Sequence, residues 1–397
     1  MTDPRPAAET PALSPDFVRH PAGPAIAGME VDGTTLRVTW SDGLTGAFNR
    51  FWLRENEVVA GIVNPVTRER DVQTEDLPED LAITAADVDA GGAVAVTWAP
   101  DGHVSRHDRG WLRSTAEGRW HPAAVLPARV PWEAAEMPEP PTFDGNAILS
   151  DDKALQDWLE ALYAHGFARL RGLPSGLGTV LQVAERIGTV RASNFGYTFR
   201  VETKDNPDSN AYTSAGLGAH TDLASREVQP GLQLLHCREN GCDGGASTMA
   251  DGFAIAAHLK VTDPDAYDAL TTLNWVFSNR HRESDYRFSG PIVVLDAAGE
   301  MSEIRFTAFL RSEPDMPAGQ VDRAYRAVRL YGQLAADDRF VCRTLFAAGD
   351  LVIFDNRRIL HGRDAFTQGS GHRRLEGCYL ETDELLSRLR VLARETA

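Results

Sequence analysis

The sequence predicts a mainly β protein with flanking helices (α+β). It comprises a small β-rich N-terminal domain and a larger domain of the jelly-roll type, a double-stranded β-helix. Three observations predict this. A strand, an Asp-Gly turn and a Trp-Leu-Arg run occur twice before residue 120. A proline-dense stretch follows. Beyond it, short apolar runs recur without the strand–helix alternation of a parallel sheet.

In chain order, residues 1–24 are rich in Pro, Ala and polar residues and read as a flexible leader. Residues 25–120 hold the repeat. Val38-Thr39-Trp40, Asp42-Gly43 and Trp52-Leu53-Arg54 recur as Val96-Thr97-Trp98, Asp101-Gly102 and Trp111-Leu112-Arg113. Each copy reads as a strand, a turn, a second strand and a Trp-Leu-Arg end, with Trp and Leu in the core. Residues 121–145 run from His121-Pro122 to Pro138-Glu139-Pro140-Pro141 and read as an extended linker. The second domain spans 146–397. Ser150 is the expected N-cap of a helix whose stripe is Leu155, Trp158, Leu159 and Leu162, stopped at Gly166. Phe167 to Arg171 alternates like a strand, and Val180 to Ile187 reads as a short helix. Strands follow at Leu232–Cys237, Ile292–Leu295, Ile304–Thr307, Phe340–Thr344 and Leu351–Phe354, interrupted by a helix over Val321–Ala336.

The 397 residues carry 40 basic and 57 acidic side chains, a net charge of −17. That balance argues against nucleic acid and anionic membranes as partners, and it admits a cationic substrate. The four cysteines, Cys237, Cys242, Cys342 and Cys378, form no C-x-x-C pair and read as free thiols in a reducing compartment. Met1 to Pro15 shows no secretory pattern, and no apolar run is long enough for a bilayer. A cytoplasmic protein is the expectation, with a homodimer as its candidate assembly. No P-loop and no Ser-His-Asp order stands out.

The chemistry concentrates in Gly218-Ala219-His220-Thr221-Asp222. In an extended run, His220 and Asp222 project to one side. An imidazole and a carboxylate on one face suit divalent iron, and His361, after the strand-like Leu351 to Phe354, is the best third ligand. Two histidines and one carboxylate on one face leave three positions open for a bidentate co-substrate and dioxygen. A lone His-x-Asp is also found in surface turns, so the distant residues matter. Arg373 offers a fork for the far carboxylate of a 2-oxo acid. Arg374 competes for that role. On a strand, Arg373 shares its face with Tyr379, and Arg374 faces the other way.

Several runs together resemble the γ-butyrobetaine dioxygenase family of the taurine-dioxygenase-like Fe(II)/2-oxoglutarate oxygenases. They are Ala211-Tyr212-Thr213, His220-Thr221-Asp222, Pro230 to Cys237, Asp251-Gly252-Phe253, Leu360 to Arg363 and Leu375-Glu376-Gly377. The resemblance covers roughly residues 25 to 395. It implies iron on His220, Asp222 and His361, with Arg373 on 2-oxoglutarate. It further implies that a small quaternary amine such as γ-butyrobetaine is hydroxylated with release of succinate and CO2. Aromatic walls for the ammonium group are Tyr212 and Tyr379, with Phe195 and Phe199 where relatives often have Tyr and Trp. Core filling is the competing role for both phenylalanines. The wider group also places a hydroxyl against 2-oxoglutarate, here Ser247, which reads equally as a turn serine.

The sequence departs from the family in two places. Relatives bind structural zinc with three cysteines and a histidine. Here the positions are Glu57, Val59 and Ile62 with only His103 kept, so no zinc is expected. Relatives also carry asparagines at Thr307 and Ala308 that frame the substrate's far end. Nearby Arg305 reads either as an anion partner or as a solvated strand residue. These changes motivate two alternatives: the same chemistry on an amino acid, phosphonate or sulfonate, or a non-catalytic binding protein on this scaffold.

Overall fold

The structure, a computed structural model, describes residues 13–202 and 212–395. The chain divides into two compact units, Met1–Val125 and Leu126–Ala397. In the first, β1 (Ile26–Val31), β2 (Thr35–Trp40) and β3 (Thr45–Asn49) form one antiparallel sheet that runs into α1 (Arg50–Arg54). A second sheet of β4 (Ala82–Val88), β5 (Val94–Ala99) and β6 (Val104–His107) runs into α2 (Arg109–Ala116). Each repeat therefore has one strand more than the sequence pattern shows. The extra strands, β1 and β4, are largely solvent-facing, so they carry no apolar alternation to read.

The Trp-Leu-Arg runs are helical rather than strand ends. Asn49 and Asp108 precede them, and each side chain accepts a backbone N–H of the first turn. Trp40, Trp98, Leu53 and Leu112 are buried, and the Trp52 and Trp111 rings stack with centroids 4.5 Å apart. At the positions expected to lack zinc, Glu57 faces His103, whose Nε2 lies 2.9 Å from each carboxylate oxygen, and Arg54 pairs with the same carboxylate. Residues 1–12 of the expected leader lie outside the described residues. The described part is packed: Asp16 accepts from Ser14 and Val18 N, and the His20 carbonyl abuts Gly110 so closely that a Cβ there would sit 2.4 Å from it.

The second unit opens with β7 (Thr142–Asp144), α3 (Asp152–His165), β8 (Phe167–Arg171), α4 (Thr179–Ile187), β9 (Val190–Arg191) and β10 (Phe199–Glu202). Then come β11 (Leu217–His220), β12 (Leu232–Asn240), β13 (Ser247–Asp251), α5 (Gly252–Thr262) and α6 (Pro264–Thr272). Next are β14 (Asn274–Arg280), β15 (Asp285–Gly290), β16 (Val293–Leu295), β17 (Met301–Ile304), β18 (Arg311–Asp315) and α7 (Val321–Leu334). The chain ends with β19 (Val341–Thr344), β20 (Leu351–Asp355), β21 (Ile359–Arg363), β22 (Arg373–Leu380) and α8 (Thr382–Glu395).

The stretch expected as linker is part of this packing. Trp132 is buried against Phe167, and β7 joins the sheet beside β8. Prolines exclude helix there, but an edge strand tolerates them. The helix expected from Ser150 is capped instead by Asp151, whose carboxylate accepts from Lys153 N and Ala154 N. Gly166 ends it in the left-handed region, φ 81°, against Ile359. The expected strand at Ile304–Thr307 is displaced to Met301–Ile304.

A large sheet has the order β10-β22-β12-β20-β8-β7, with β9 also on β22, and a four-stranded sheet the order β11-β21-β13-β19. One face of the large sheet, with Leu232, Leu234, Ile353 and Cys378, packs against α3, α4 and α8 through Trp158, Leu159, Val183 and Leu389. The alternate residues Val352, Phe354 and Leu375 meet Met249 and Cys342 of the small sheet. Burying both faces makes β20 an almost continuous apolar run, Leu351-Val352-Ile353-Phe354. The candidate site lies among these inward residues.

Candidate metal centre and its cavity

His220 and His361 are ladder partners on β11 and β21, and their ring centroids are 4.1 Å apart. Asp222 lies just past the end of β11, where Leu223 takes a left-handed φ of 53°. The three side chains offer ligand atoms that all lie within 4.8 Å of one another. Asp222 Oδ1 is 3.3 Å from His220 Nε2 and 3.7 Å from His361 Nε2. Its Oδ2 accepts a 2.8 Å hydrogen bond from the Tyr379 hydroxyl. Burial opposes its charge, but His361, His220 and Tyr379 hold its pKa far below the usual carboxylate range. Burial, helped by His220, pushes His361 down to about 3, so its ring is neutral.

This donor set fits a divalent cation. His220 Nδ1 lies 2.9 Å from the Gly218 carbonyl, which can only accept, so Nδ1 carries the proton. Nε2 is left facing the Asp222 carboxylate at 3.3 Å, placed so that both groups can ligate one cation. Two imidazoles and a carboxylate suit iron(II).

The ligands open into a cavity of about 400 Å³. All the sequence candidates line it: Phe195, Phe199, Tyr212, Ser247, Arg373 and Tyr379, with the three ligands. Arg373 is buried, and a nitrogen of its guanidinium lies 3.5 Å from Ser247 Oγ. Among the described residues no carboxylate pairs with it. Burial, with Arg363 nearby, pushes its pKa down to about 10. Arg374 points away and pairs with Glu239 at 3.0 Å. Leu235, Met249 and Leu375 line the cavity as apolar wall.

Phe199 stacks on Tyr379 at 4.9 Å, and Phe195 tilts against Phe199 at 6.4 Å. Phe195 is 45% exposed, which a core residue would not be. Phe199 lies over Gly377, where a Cβ would come within 2.5 Å of its ring. Arg305 is neither solvated nor aimed at a ligand. It is buried, donates to the carbonyls of Ala224, Arg226 and Glu227, and pairs with Glu303.

The sequence reading missed Gln233, Asn279, His281, Phe309 and Leu310, which also line the cavity. The strand alternation of β12, with Leu232 and Leu234 facing the helices, was the available signal for Gln233. Asn279 and His281 come from a separate sheet, β15-β14-β18, and its following loop, with no local signal at all.

The profile of the taurine catabolism dioxygenase TauD, TfdA family matches residues 126–379. The γ-butyrobetaine dioxygenase of Pseudomonas sp. (strain AK-1) is 41% identical over 383 residues, 96% of this chain and 99% of that protein. The Homo sapiens γ-butyrobetaine dioxygenase is 29% identical, across 91% of this chain and 95% of its own. The mitochondrial trimethyllysine dioxygenase of Gallus gallus is 28% identical, across 91% and 87%.

Proposed function

Because the chain belongs to the TauD, TfdA family and is an Fe(II)/2-oxoglutarate-dependent dioxygenase, we propose that it hydroxylates a small quaternary amine of the γ-butyrobetaine kind. One observation carries the substrate reading. A single cavity joins the His-Asp-His cluster to a buried guanidinium that pairs with no carboxylate among the described residues, and to the stacked faces of Phe199 and Tyr379.

In this reading His220, Asp222 and His361 hold the iron. Iron with 2-oxoglutarate and dioxygen supplies an oxidant able to functionalise an unactivated C–H bond, with release of succinate and CO2. Arg373, supported by Ser247, takes the distal carboxylate of 2-oxoglutarate. The apolar wall of Leu235, Met249 and Leu375 suits the two methylenes between its acid ends. Phe199, Tyr379, Tyr212 and Phe195 turn ring faces to the ammonium group, an attraction of about 0.5–2 kcal/mol per desolvated contact. The Tyr379 hydroxyl holds Asp222 from the same side. The facing sheets are read as the two halves of a jelly roll, preceded by the small β-rich domain. Four free thiols support a cytoplasmic location, and a homodimer belongs to the same reading.

A second reading keeps the chemistry and changes the substrate to an amino acid, phosphonate or sulfonate. It is favoured by Asn279 and His281, which bring hydrogen-bonding groups to the cavity. The test is succinate formation from 2-oxoglutarate under air with Fe(II), with and without γ-butyrobetaine, and His220→Ala as control. Turnover that depends on γ-butyrobetaine and vanishes in the variant supports the proposal. Turnover that γ-butyrobetaine leaves unchanged overturns that substrate and directs the panel to amino acids, phosphonates and sulfonates.

A further inference from the structure

Gln233 is 2% exposed, lines the metal cavity, and its Oε1 has no hydrogen-bond partner among the described residues. Its side-chain nitrogen makes no hydrogen bond to the described residues either. Burying an amide without partners is costly, and native structures rarely leave one so. The contrast with Gln229 is direct. That amide donates to the Ile304 and Asn356 carbonyls and accepts from Thr221. Unlike Oε1, the Gln233 nitrogen is not sealed off from the cavity, so it is a donor that the described residues leave free for a ligand.

Its neighbours identify the end of the cavity it serves. On β12, Gln233 stands directly opposite Tyr379 of β22 and Phe354 of β20. Directly opposed residues share a face, with Cβ atoms about 5 Å apart. Tyr379 hydrogen-bonds Asp222, and the Phe354 ring lies 4.7 Å from that of His361. The orphan amide therefore sits between two side chains that each touch a metal ligand. Arg373 is opposite Asn240, at the far end of the same strand pair. The ammonium end of the proposed substrate, assigned above to the Tyr379 and Phe199 faces beside Gln233, offers neither N–H nor lone pair to an amide, and its carboxylate is at the molecule's other end. The 2-oxo acid end of the co-substrate offers oxygens.

We infer that Gln233 donates a hydrogen bond to the metal-chelating carboxylate of 2-oxoglutarate and so orients the chelate. The inference rests on the dioxygenase reading of the cavity. Under it, Arg373 grips one acid end and Gln233 the other.

The test uses full-length protein under anaerobic conditions. Fe(II) protein is titrated with 2-oxoglutarate while the visible charge-transfer absorption of the Fe(II)–2-oxo acid chelate is followed. Mn(II) binding without 2-oxoglutarate is measured in parallel. Gln233→Leu removes the donor, and Gln233→Glu keeps the shape while placing a carboxylate beside a carboxylate. Both are expected to raise the half-saturating 2-oxoglutarate concentration about ten-fold or more and to shift the band, with Mn(II) affinity unchanged. Wild-type half-saturation and band in both variants would overturn the inference. So would a matching loss of Mn(II) affinity, which would make Gln233 a packing residue. Wild-type protein that binds Mn(II) but develops no band would sink the co-substrate reading itself, a result distinguishable from failure of Gln233 alone.

Discussion

Asn356 holds the backbone of Asp222 on both sides: its Oδ1 accepts from the Asp222 N–H at 2.8 Å and its Nδ2 donates to the Asp222 carbonyl at 3.1 Å. The same Nδ2 also donates to the Pro230 carbonyl. Asp222 stands beyond the end of β11, so no ladder fixes it, and Asn356 does that work from the turn after β20. Asn356→Leu should weaken Mn(II) or Fe(II) binding by roughly 10- to 100-fold, the usual cost of losing a group that orients a ligand. Titration with Mn(II) checks this. Unchanged affinity would show that Asp222 holds its place without the clamp.

Arg373 and Arg374 should separate cleanly. Arg373→Met is expected to raise the KM for 2-oxoglutarate on the order of 100-fold, because a charge-assisted pair is lost. Arg374→Ala, whose partner Glu239 is exposed, should stay within about two-fold.

The same Arg373→Met variant should melt higher than wild type without ligands. Burial lowers the Arg373 pKa from 12.5 to about 10, so the fold disfavours the charged form. That penalty is present at every pH below about 10, and the shift corresponds to a few kcal/mol, on the order of 3. Calorimetry in metal-free buffer reads it. A lower melting temperature would mean that the methylene stem and the Ser247 contact outweigh the charge.

Gly377→Ala should act on the amine without touching the metal. Its new Cβ would collide with Phe199, displacing the ring that stacks on Tyr379, and would also come 2.9 Å from the Leu234 carbonyl, so Phe199→Ala is the cleaner variant. The expected result is about ten-fold poorer use of γ-butyrobetaine, with the 2-oxoglutarate KM within a factor of about three. Phe199→Ala should show the same split, and an equal change in both KM values would place the ring's role elsewhere.

The N-terminal unit should lose stability in mild acid. His107 is fully buried, bonded to Ser105, which also accepts from Trp98. Burial, then Arg54, lowers its pKa from 6.5 to about 3. The folded state keeps it neutral while the unfolded chain takes a proton near 6.5. Its contribution is therefore complete above pH 6.5 and declines as pH falls toward 3. Melting curves from pH 7.5 to 5 should slope downward, and His107→Gln should flatten the slope.

The metal ligands were legible because chemistry restricts their types, and because His220 and Asp222 are close in sequence. The cavity-facing position of Arg373 was legible through strand parity with Tyr379. Gln233 was missed although its parity on β12, opposite to that of Leu232 and Leu234, was there to read; the apolar Leu235 and Cys237 on its own face blur the contrast. Asn279 and His281 reach the cavity from an element distant in sequence. Arg305 was misread because capping three carbonyls depends on a loop path, 224–227, that no local pattern encodes. The extra strand in each N-terminal repeat was invisible because solvent covers most of it.

The pairing of His220 with His361 carries one more consequence. Side chains on a strand alternate between faces, so a slip of one residue between β11 and β21 would turn one imidazole away from the other. A bound ion would then lose a ligand. Metal binding therefore favours the native register of β11 and β21 over a slipped one.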